Sequence, residues 1–157
     1  MNAFFEDDLY FRIIQLIDSI STHSRKHVEK QLKPLNMTYP QMGILMLLHR
    51  LDGLSQRELA DLTETDTTNI MVICDSLEKR GWIKRIVHES DRRINKICLT
   101  EVGKKEYSRA KDILWNGITY IREQTSREEM ERIKPFLEEL DRHTKALYEG
   151  KTEKVLQ

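Results

Sequence analysis

The chain has 157 residues, with 26 Lys and Arg against 26 Asp and Glu, so its formal net charge at pH 7 is zero. This length fits one domain with a sizeable core. The composition, 33% charged and 39% hydrophobic with 3 prolines and 6 glycines, is typical of a soluble helical protein and excludes collagen-like chains. No apolar run approaches the roughly 18 residues of a membrane span, and the first residues are acidic where a secretory signal is basic. We therefore expect a cytoplasmic protein.

The two cysteines, Cys74 and Cys98, form no C-x-x-C motif and no dense cysteine framework. Such sparse use is typical of a reducing compartment, where cysteines are kept as thiols. We expect two buried free thiols and no disulfide.

The neutral total conceals an uneven distribution of charge. Residues 79–96 contain seven basic and two acidic side chains, an excess of five positive charges that the rest of the chain must balance. The first twenty residues are acidic. A basic patch on an acidic frame is the electrostatic pattern of a local anion-binding surface, such as one for nucleic acid.

The first third of the chain predicts two helices. Apolar residues recur at three- and four-residue steps over residues 7–33, which indicates a long amphipathic helix that Pro34 ends. Thr38 and Gln41 form a capping box for a second, well-buried helix. Gly53 is expected to close that helix.

Two short helices are predicted next. Ser55 and Glu58 form a second capping box, Asp66 is placed to cap the following helix, and Gly81 is expected to end it. The side chains predicted to face inward are Leu59, Ala60 and Leu62 on the first helix, and Ile70, Ile73, Cys74 and Leu77 on the second.

The remaining chain predicts a hairpin followed by two long helices. Residues 82–87 and 95–99 are two β-prone runs separated by a polar stretch, as in a hairpin with a long tip. A helical pattern then runs from residue 101 to about 124. Ser126 and Glu129 form a third capping box, which opens the last helix.

Helix, helix, short helix, turn, helix and hairpin is the element order of a winged helix-turn-helix, which lays its second short helix in the DNA major groove. Three phrases strengthen this interpretation: SQRELA at 55–60, DSLEKRGWI at 75–83, and DRR at 91–93 running on to LTEVG at 99–103. In this order and spacing they resemble the multiple antibiotic resistance regulator (MarR) family of bacterial transcription factors, over roughly residues 7–147.

The resemblance implies a fold class and a division of the chain. The protein is expected to be mainly α with a small β-hairpin wing, a winged helix-turn-helix flanked by N- and C-terminal dimerisation helices. Residues 1–157 then form a single MarR-type domain. Residues 38–100 are its DNA-binding lobe, and residues 7–33 and 101–148 are its dimerisation helices.

The resemblance also assigns DNA contacts to side chains of both short helices and of the hairpin. The predicted DNA-binding residues are Ser55, Gln56, Thr67, Thr68, Asn69, Met71, Val72, Lys84, Arg92, Arg93 and Lys96. Asp75 is also expected on an outward side of its helix. Many relatives carry Arg or another long polar residue near position 72, where this chain has Val72 beside Met71. Apolar tips contact thymine methyls but make no bidentate bond to guanine, so this departure favours an A·T-rich operator.

The tip of the hairpin carries the family's wing motif. Arg93 is expected to enter a narrow A·T minor groove, with Arg92 at a phosphate or a second groove position, and Asp91 is expected to orient the guanidinium without binding DNA. Lys84, Arg85 and Lys96 alternate with apolar residues and are expected on the solvated face of the hairpin.

The terminal helices are the predicted dimer interface. Their apolar stripes exceed what a small compact core needs, and by resemblance they interlock across a two-fold axis. Two copies then contact a pseudo-palindromic site whose half-sites lie about 34 Å apart.

Regulation by a small aromatic effector is a further implication of the resemblance. The candidate ligand-binding residues are Tyr10, Phe11, His23, Tyr39 and Trp115, for which a place in the apolar core is the alternative. His23 and His27 have the i, i+4 spacing of two metal ligands, so a zinc-responsive regulator stays open although no metal or cofactor is expected. Both cysteines are expected to be structural thiols and not oxidant sensors.

The sequence has no Gly-rich phosphate loop and no G-x-S-x-G, so we expect no enzyme. The predicted function is sequence-specific DNA binding by a homodimeric repressor of a pseudo-palindromic operator, tuned by a small molecule. Its predicted partners are double-stranded DNA, a second copy of the chain and a small aromatic effector, with no membrane. The main alternative is a winged-helix protein-interaction module, which the apolar Met71 and Val72 would suit.

Overall fold

The computed structural model of the protein describes residues 8–87 and 95–150. Its elements are α1 (Leu9–Leu32), a 3₁₀ turn (Lys33–Leu35), α2 (Tyr39–Arg50), α3 (Gln56–Thr63), α4 (Thr67–Lys79), β1 (Ile83–Val87), β2 (Asn95–Leu99), α5 (Glu101–Gln124) and α6 (Arg127–Tyr148). The predicted fold class, mainly helical with a small antiparallel hairpin, is confirmed. Within the described ranges, no helix is both long and apolar enough to cross a bilayer.

Side-chain caps begin the first two helices, and the sequence predicts the second of these caps. The Asp8 carboxylate accepts the backbone N–H of Phe11 at 2.9 Å, so α1 starts at the next residue. At α2, Thr38 and Gln41 exchange side-chain and backbone hydrogen bonds at 3.3 and 3.0 Å, which is the predicted capping box. Between α1 and α2 the chain forms the 3₁₀ turn, which Asn36 closes in the left-handed region at a φ of 49°.

The capping boxes of α3 and α6 are confirmed in the same way. Ser55 accepts the N–H of Glu58 at 3.2 Å, and the Glu58 carboxylate accepts the N–H of Ser55 at 2.7 Å. Ser126 and Glu129 repeat this exchange at 3.1 and 2.9 Å. Each box joins residues three apart, so these helix starts follow from local sequence.

The end of α2 differs from the prediction. The helix stops at Arg50 with Leu51 as its C-cap, while Gly53, at a φ of 79°, lies in the following loop. The reason is the path of the chain: Leu54 accepts the N–H of Ile97 at 2.8 Å and forms a β-bridge with that residue. Gly53 therefore turns the chain onto the hairpin and does not cap the helix.

A single apolar cluster joins α2, α3, α4 and the hairpin. Its members include Ile44, Leu45, Leu48, Leu59, Ile70, Cys74, Leu77, Ile83 and Ile97, all 2% exposed or less. The inward stripe predicted for α4 is confirmed at Ile70, Cys74 and Leu77, with Ile73 partly buried. This cluster holds α4, the second short helix, against α2, α3 and the hairpin.

One residue of the predicted α3 core is wrong. Leu59 and Ala60 are buried, but Leu62 is 50% exposed. In a helix of eight residues, the 100° step per residue rotates Leu62 well away from the face that Leu59 and Ala60 present to the cluster.

The turn from α4 to β1 is a Schellman motif around Gly81. The N–H of Gly81 donates to Glu78 at 2.8 Å, and the N–H of Trp82 donates to Leu77 at 3.0 Å. Gly81 takes a φ of 68°, as its predicted role as the helix stop requires. The hairpin then pairs Ile83 with Leu99 and Lys84 with Cys98, and the register continues to the last described pair.

The first half of α5 packs on the same cluster. Tyr107 and Ala110 are buried, and the Tyr107 ring lies 4.4 Å from the His49 ring. A Cβ at Gly103 would lie 1.9 Å from the carbonyl oxygen of Trp82, so only glycine lets α5 approach the start of the hairpin so closely.

The chain forms two compact units, with the boundary inside α5 after Trp115. The first unit contains the helix-turn-helix and the hairpin. In the second unit, α6 has no buried residue, and Ile133, Phe136 and Leu147 are 46%, 49% and 51% exposed. Its apolar stripe is therefore open in a single chain.

Candidate nucleic-acid interface

The two short helices meet at a tight turn that sets the start of α4. Glu64 ends α3 in the left-handed region, at a φ of 52°. Asp66 then caps α4: its two carboxylate oxygens accept from the backbone N–H and the side-chain amide of Asn69, at 2.8 and 2.5 Å. The side chain of Asn69, one of the predicted DNA-binding residues, is thus engaged within the helix.

The outward face of α4 is exposed as predicted. Thr67 and Thr68 are exposed in the first turn, and Met71 and Val72 are 44% and 60% exposed one turn later. No residue from Thr67 to Cys74 is charged. This face therefore presents hydroxyl groups and apolar tips.

One predicted orientation at the next turn is wrong: Arg85 does not lie on the solvated face of the hairpin. Asp75 lies off the buried stripe of α4, as predicted, with its side chain 48% exposed, but its carboxylate is paired within the protein. The guanidinium of Arg85 donates to the Asp75 carboxylate at 2.5 Å and also to that of Glu78. The register places Arg85 opposite Ile97, on the side of the hairpin that packs against the protein. The resulting ion pairs tie β1 to α4.

Lys84 and Lys96 lie on the other face of the hairpin and are exposed, as predicted. They are diagonal neighbours, since Lys84 pairs with Cys98 and Lys96 with Ile86. Of the three cationic residues in the strands, Arg85 faces the protein, and Lys84 and Lys96 face outward. The two lysines are therefore available to an anionic partner.

Ser55 and Gln56, at the start of α3, are partly buried. The hydrogen bonds from the backbone N–H and hydroxyl of Ser55 hold the pKa of Glu58 below its ordinary value, and the charge of Lys96 adds to this effect. The Ser55 hydroxyl is therefore engaged in helix capping.

The wing tip lies outside the described residues. Asp91, Arg92 and Arg93 fall in the range 88–94 that the structure does not describe. Their assignment as the minor-groove motif stays a prediction.

The five aromatic and imidazole candidates for an effector site are all exposed in the chain. Tyr10, Tyr39 and Trp115 are 78%, 43% and 54% exposed, so the core alternative is wrong for a single chain. Phe11 is 40% exposed, and the ring of His23 lies 3.3 Å from the Ser19 hydroxyl. An effector site at these residues stays a prediction.

Both cysteines are free, buried thiols, as expected. Burial raises the pKa of Cys74 to about 11, and burial followed by the neighbouring Asp52 carboxylate raises the pKa of Cys98. Since the thiolate is the reactive form, neither has the character of an oxidant sensor.

Nothing in the described ranges supports a metal centre at His23 and His27. No group of three or more His, Cys, Asp or Glu side chains suitable for a metal occurs in the part of the chain that the structure describes. The zinc-responsive alternative rests on sequence spacing alone.

The sequence did not single out Arg80 as a structural residue. Its guanidinium stacks 3.5 Å from the centroid of the Trp82 ring and donates to the carbonyl of Leu35 at 3.0 Å and to that of Asn36. It therefore anchors the turn after α1 to the end of α4. In the sequence, only the adjacency of Arg80 to Gly81 and Trp82 points to a structural role for this arginine. Its backbone partners lie more than forty residues away in the chain.

Part of the chain is similar in sequence to known transcriptional regulators. The model of the MarR family matches residues 35–94. An uncharacterized HTH-type transcriptional regulator of Bacillus subtilis, YfiV, is 39% identical over 71 residues, which is 45% of this chain and 44% of that protein. The chain spans between 44% and 64% of the length of the three curated relatives compared.

Solved structures match over more of the chain. The S. aureus MepR–DNA complex has a TM-score of 0.75 at 26% identity, over 80% of this chain and 93% of that one. CouR from Rhodococcus jostii RHA1, bound to p-coumaroyl-CoA, has a TM-score of 0.73 at 25% identity, over 87% and 93%. With the helix-turn-helix, the hairpin and the flanking helices in place, the chain resembles these regulators in fold, and its residues 35–94 match the MarR family in sequence.

Proposed function

We propose that the protein is a homodimeric, sequence-specific DNA-binding regulator that represses a pseudo-palindromic operator. The observation that carries this proposal is the second short helix, α4, which has an exposed uncharged face and is tied by Arg85 to a hairpin with two outward lysines. A recognition helix with a cationic wing is how winged helix-turn-helix proteins combine base contacts with phosphate contacts.

The likeness to MepR, which has been solved as a DNA complex, supports the same function. The proposed contacts divide by chemistry. Thr67, Thr68, Met71 and Val72 face base edges, and Lys84 and Lys96 neutralise phosphates, while Ser55, Gln56 and Asn69 support the approach of α3 and α4 to the backbone. Arg92 and Arg93, oriented by Asp91, are proposed for the minor groove from the sequence motif.

The dimer is proposed from exposed apolar surface at both ends of the chain. On α1, Leu9, Leu16 and Ile20 are 67%, 61% and 64% exposed, and the α6 stripe is about half exposed. Rows of exposed large apolar side chains along a helix are typical of an interaction surface. Residues 7–33 and 101–148 are accordingly proposed as dimerisation helices around the lobe at 38–100.

Regulation by a small aromatic molecule is part of the proposal, supported by the likeness to CouR with its bound p-coumaroyl-CoA. The exposed aromatic residues of α1, α2 and α5 are the candidates for its contacts. A regulator of this kind acts in the cytoplasm, where the chromosome is, and carries out no catalysis.

The proposal is tested by selecting bound fragments from a random duplex pool and measuring affinity for the winning duplex over a salt series. Binding should weaken steeply with salt, with a slope of about 0.9 per phosphate neutralised. Lys84→Ala combined with Lys96→Ala should lower the slope by about one per lysine, and Arg93→Ala should weaken binding too. Lys111→Ala, an exposed change on α5, is the matched control. No binding of any duplex at low salt would refute the proposal.

A protein-interaction module is the second candidate, and the exposure of Met71 and Val72 favours it. The same selection separates the two functions. A protein that uses this face for a protein partner would enrich no duplex.

A further inference from the structure

We propose that Met71 and Val72 recognise the 5-methyl groups of thymines in the major groove, so that each half-site is specified by methyl contacts and not by guanine. This inference rests on the proposed DNA-binding function and names the chemistry of its specificity. It follows from what α4 presents and from what it lacks.

The exposed face of α4 lacks the groups that read guanine. Bidentate recognition of guanine uses Arg or Lys, and no charged residue occurs between Thr67 and Cys74. On this helix, the first cation after the cap is Lys79, the last residue. The centre of α4 therefore has no side chain that can make the bidentate Arg or Lys contact with guanine.

The adenine-reading group of this helix is also engaged. Asparagine recognises adenine through its side-chain amide, which must both donate and accept. In this helix the Asn69 amide donates to the Asp66 carboxylate at 2.5 Å, while the Asn69 backbone N–H donates to the same group. The helix cap thus engages one N–H of the only side-chain amide in the first turn of α4.

What remains is a four-residue patch of hydroxyl and apolar groups. Met71 follows Thr67 by four positions and Val72 follows Thr68 by four, so the two pairs form adjacent rows on one face. Met71 and Val72 are 44% and 60% exposed, whereas Ile70 and Cys74 beside them are buried. The patch is therefore an outward face of α4 and not the edge of the core.

Thymine methyls are the apolar groups that the major groove offers, and apolar side chains contact them. Lys84 and Lys96, exposed on the neighbouring hairpin, suit a polyanionic partner, which is why DNA is chosen over an apolar protein groove. Removing one buried methyl is expected to lower affinity about fourfold.

The test replaces each thymine of the selected duplex, one at a time, by deoxyuridine, which keeps the hydrogen-bonding edge and lacks only the methyl group. Wild-type protein should bind at least one substituted duplex per half-site about three- to fivefold more weakly. With Val72→Ala or Met71→Ala, the difference between thymine and deoxyuridine should disappear at the position that the truncated side chain contacts. Val102→Ala, a 52% exposed valine on α5, should keep the wild-type difference.

The outcomes separate this inference from the proposed function. Tight binding with no deoxyuridine effect at any position would overturn the methyl readout and leave DNA binding intact. A deoxyuridine effect that persists in both Met71→Ala and Val72→Ala would overturn the assignment to these residues. If the wild-type protein bound no duplex at all, both proposals would be overturned. Melting curves of the variants establish that each is folded.

Discussion

Apolar side chains are buried in one region of the molecule and exposed in another. In the lobe, Leu45, Leu59 and Leu77 are completely buried between α2, α3, α4 and the hairpin. In α6, Ile133 and Phe136 are about half exposed, although the helix is as amphipathic as those of the lobe. The lobe satisfies its hydrophobic pattern within one chain, whereas α6 needs a second surface to cover its stripe.

This difference predicts two kinds of stability. The lobe should resist unfolding by its own packing, independently of concentration. The terminal helices should gain order by association, so their stability should rise with protein concentration.

The largest effect is expected from Phe136→Glu. In a two-fold dimer each interface would receive two carboxylates in an apolar contact, at a cost of about 3 kcal/mol or more, which raises the dimer dissociation constant at least about 100-fold. Sedimentation analysis over a concentration series measures this change. Arg142→Glu, an exposed change on α6, is the control and should leave the dimer intact. An unchanged dimer in Phe136→Glu would contradict the role given to this face.

Two leucines on α3 differ in burial and should therefore differ in their contribution to the stability of the lobe. Leu59→Ala should cost about 2 to 5 kcal/mol in free energy of unfolding, because it leaves a cavity in the core. Leu62→Ala should cost less than about 1 kcal/mol, because that side chain is half exposed. Chemical denaturation measures both values. Equal costs would mean that the exposed side of α3 is covered in solution, as by DNA or a partner.

Ion pairs provide the next comparison. Arg85→Gln removes a guanidinium shared by Asp75 and Glu78 between two elements, and it should cost about 1 kcal/mol of stability and weaken DNA binding by loosening β1 from α4. Lys134→Gln removes an exposed i, i+4 pair within α6 and should change neither quantity measurably. A stable Arg85→Gln variant with wild-type affinity would show that these ion pairs do not position the hairpin.

The smallest effect is a pH dependence at the two capping boxes. Hydrogen bonds from Ser55 and Ser126 lower the pKa of Glu58 and Glu129 in the folded protein. A lowered folded-state pKa adds stability that is complete above the ordinary value of 4.5 and is lost as pH falls through the folded value. Melting temperatures should therefore fall in acid below about pH 4.5, and less steeply in Glu58→Gln and Glu129→Gln, which remove the titrating carboxylates. Parallel acid profiles for variants and wild type would refute this assignment.

Local interactions explain why so much of the fold was predictable from the sequence. The capping boxes, the Asp66 cap and the Gly81 stop each depend on residues within five positions. The predictions were wrong where burial or orientation depends on tertiary packing. Leu62 was assigned to the core since a short helix gives too few turns to fix its buried face.

The candidate site shows the same division. The outward side chains of α4 follow from its buried stripe, so Met71 and Val72 were placed correctly. Arg85 was misplaced because its charge suggested solvent, whereas its partners on α4, seven and ten residues away, are brought to it only by the packing of the hairpin. The hydrogen bonds of Arg80 join even more distant segments, which periodicity does not reveal.

The most direct test of the account is hydroxyl-radical footprinting of the selected duplex, combined with the stoichiometry of the complex by sedimentation. Two identical recognition helices predict two chains per duplex and two protected segments whose centres lie about 34 Å apart. Both segments should lose protection in the variant with Lys84→Ala and Lys96→Ala. A single protected segment occupied by one chain, or protection that the double variant leaves unchanged, would contradict the account.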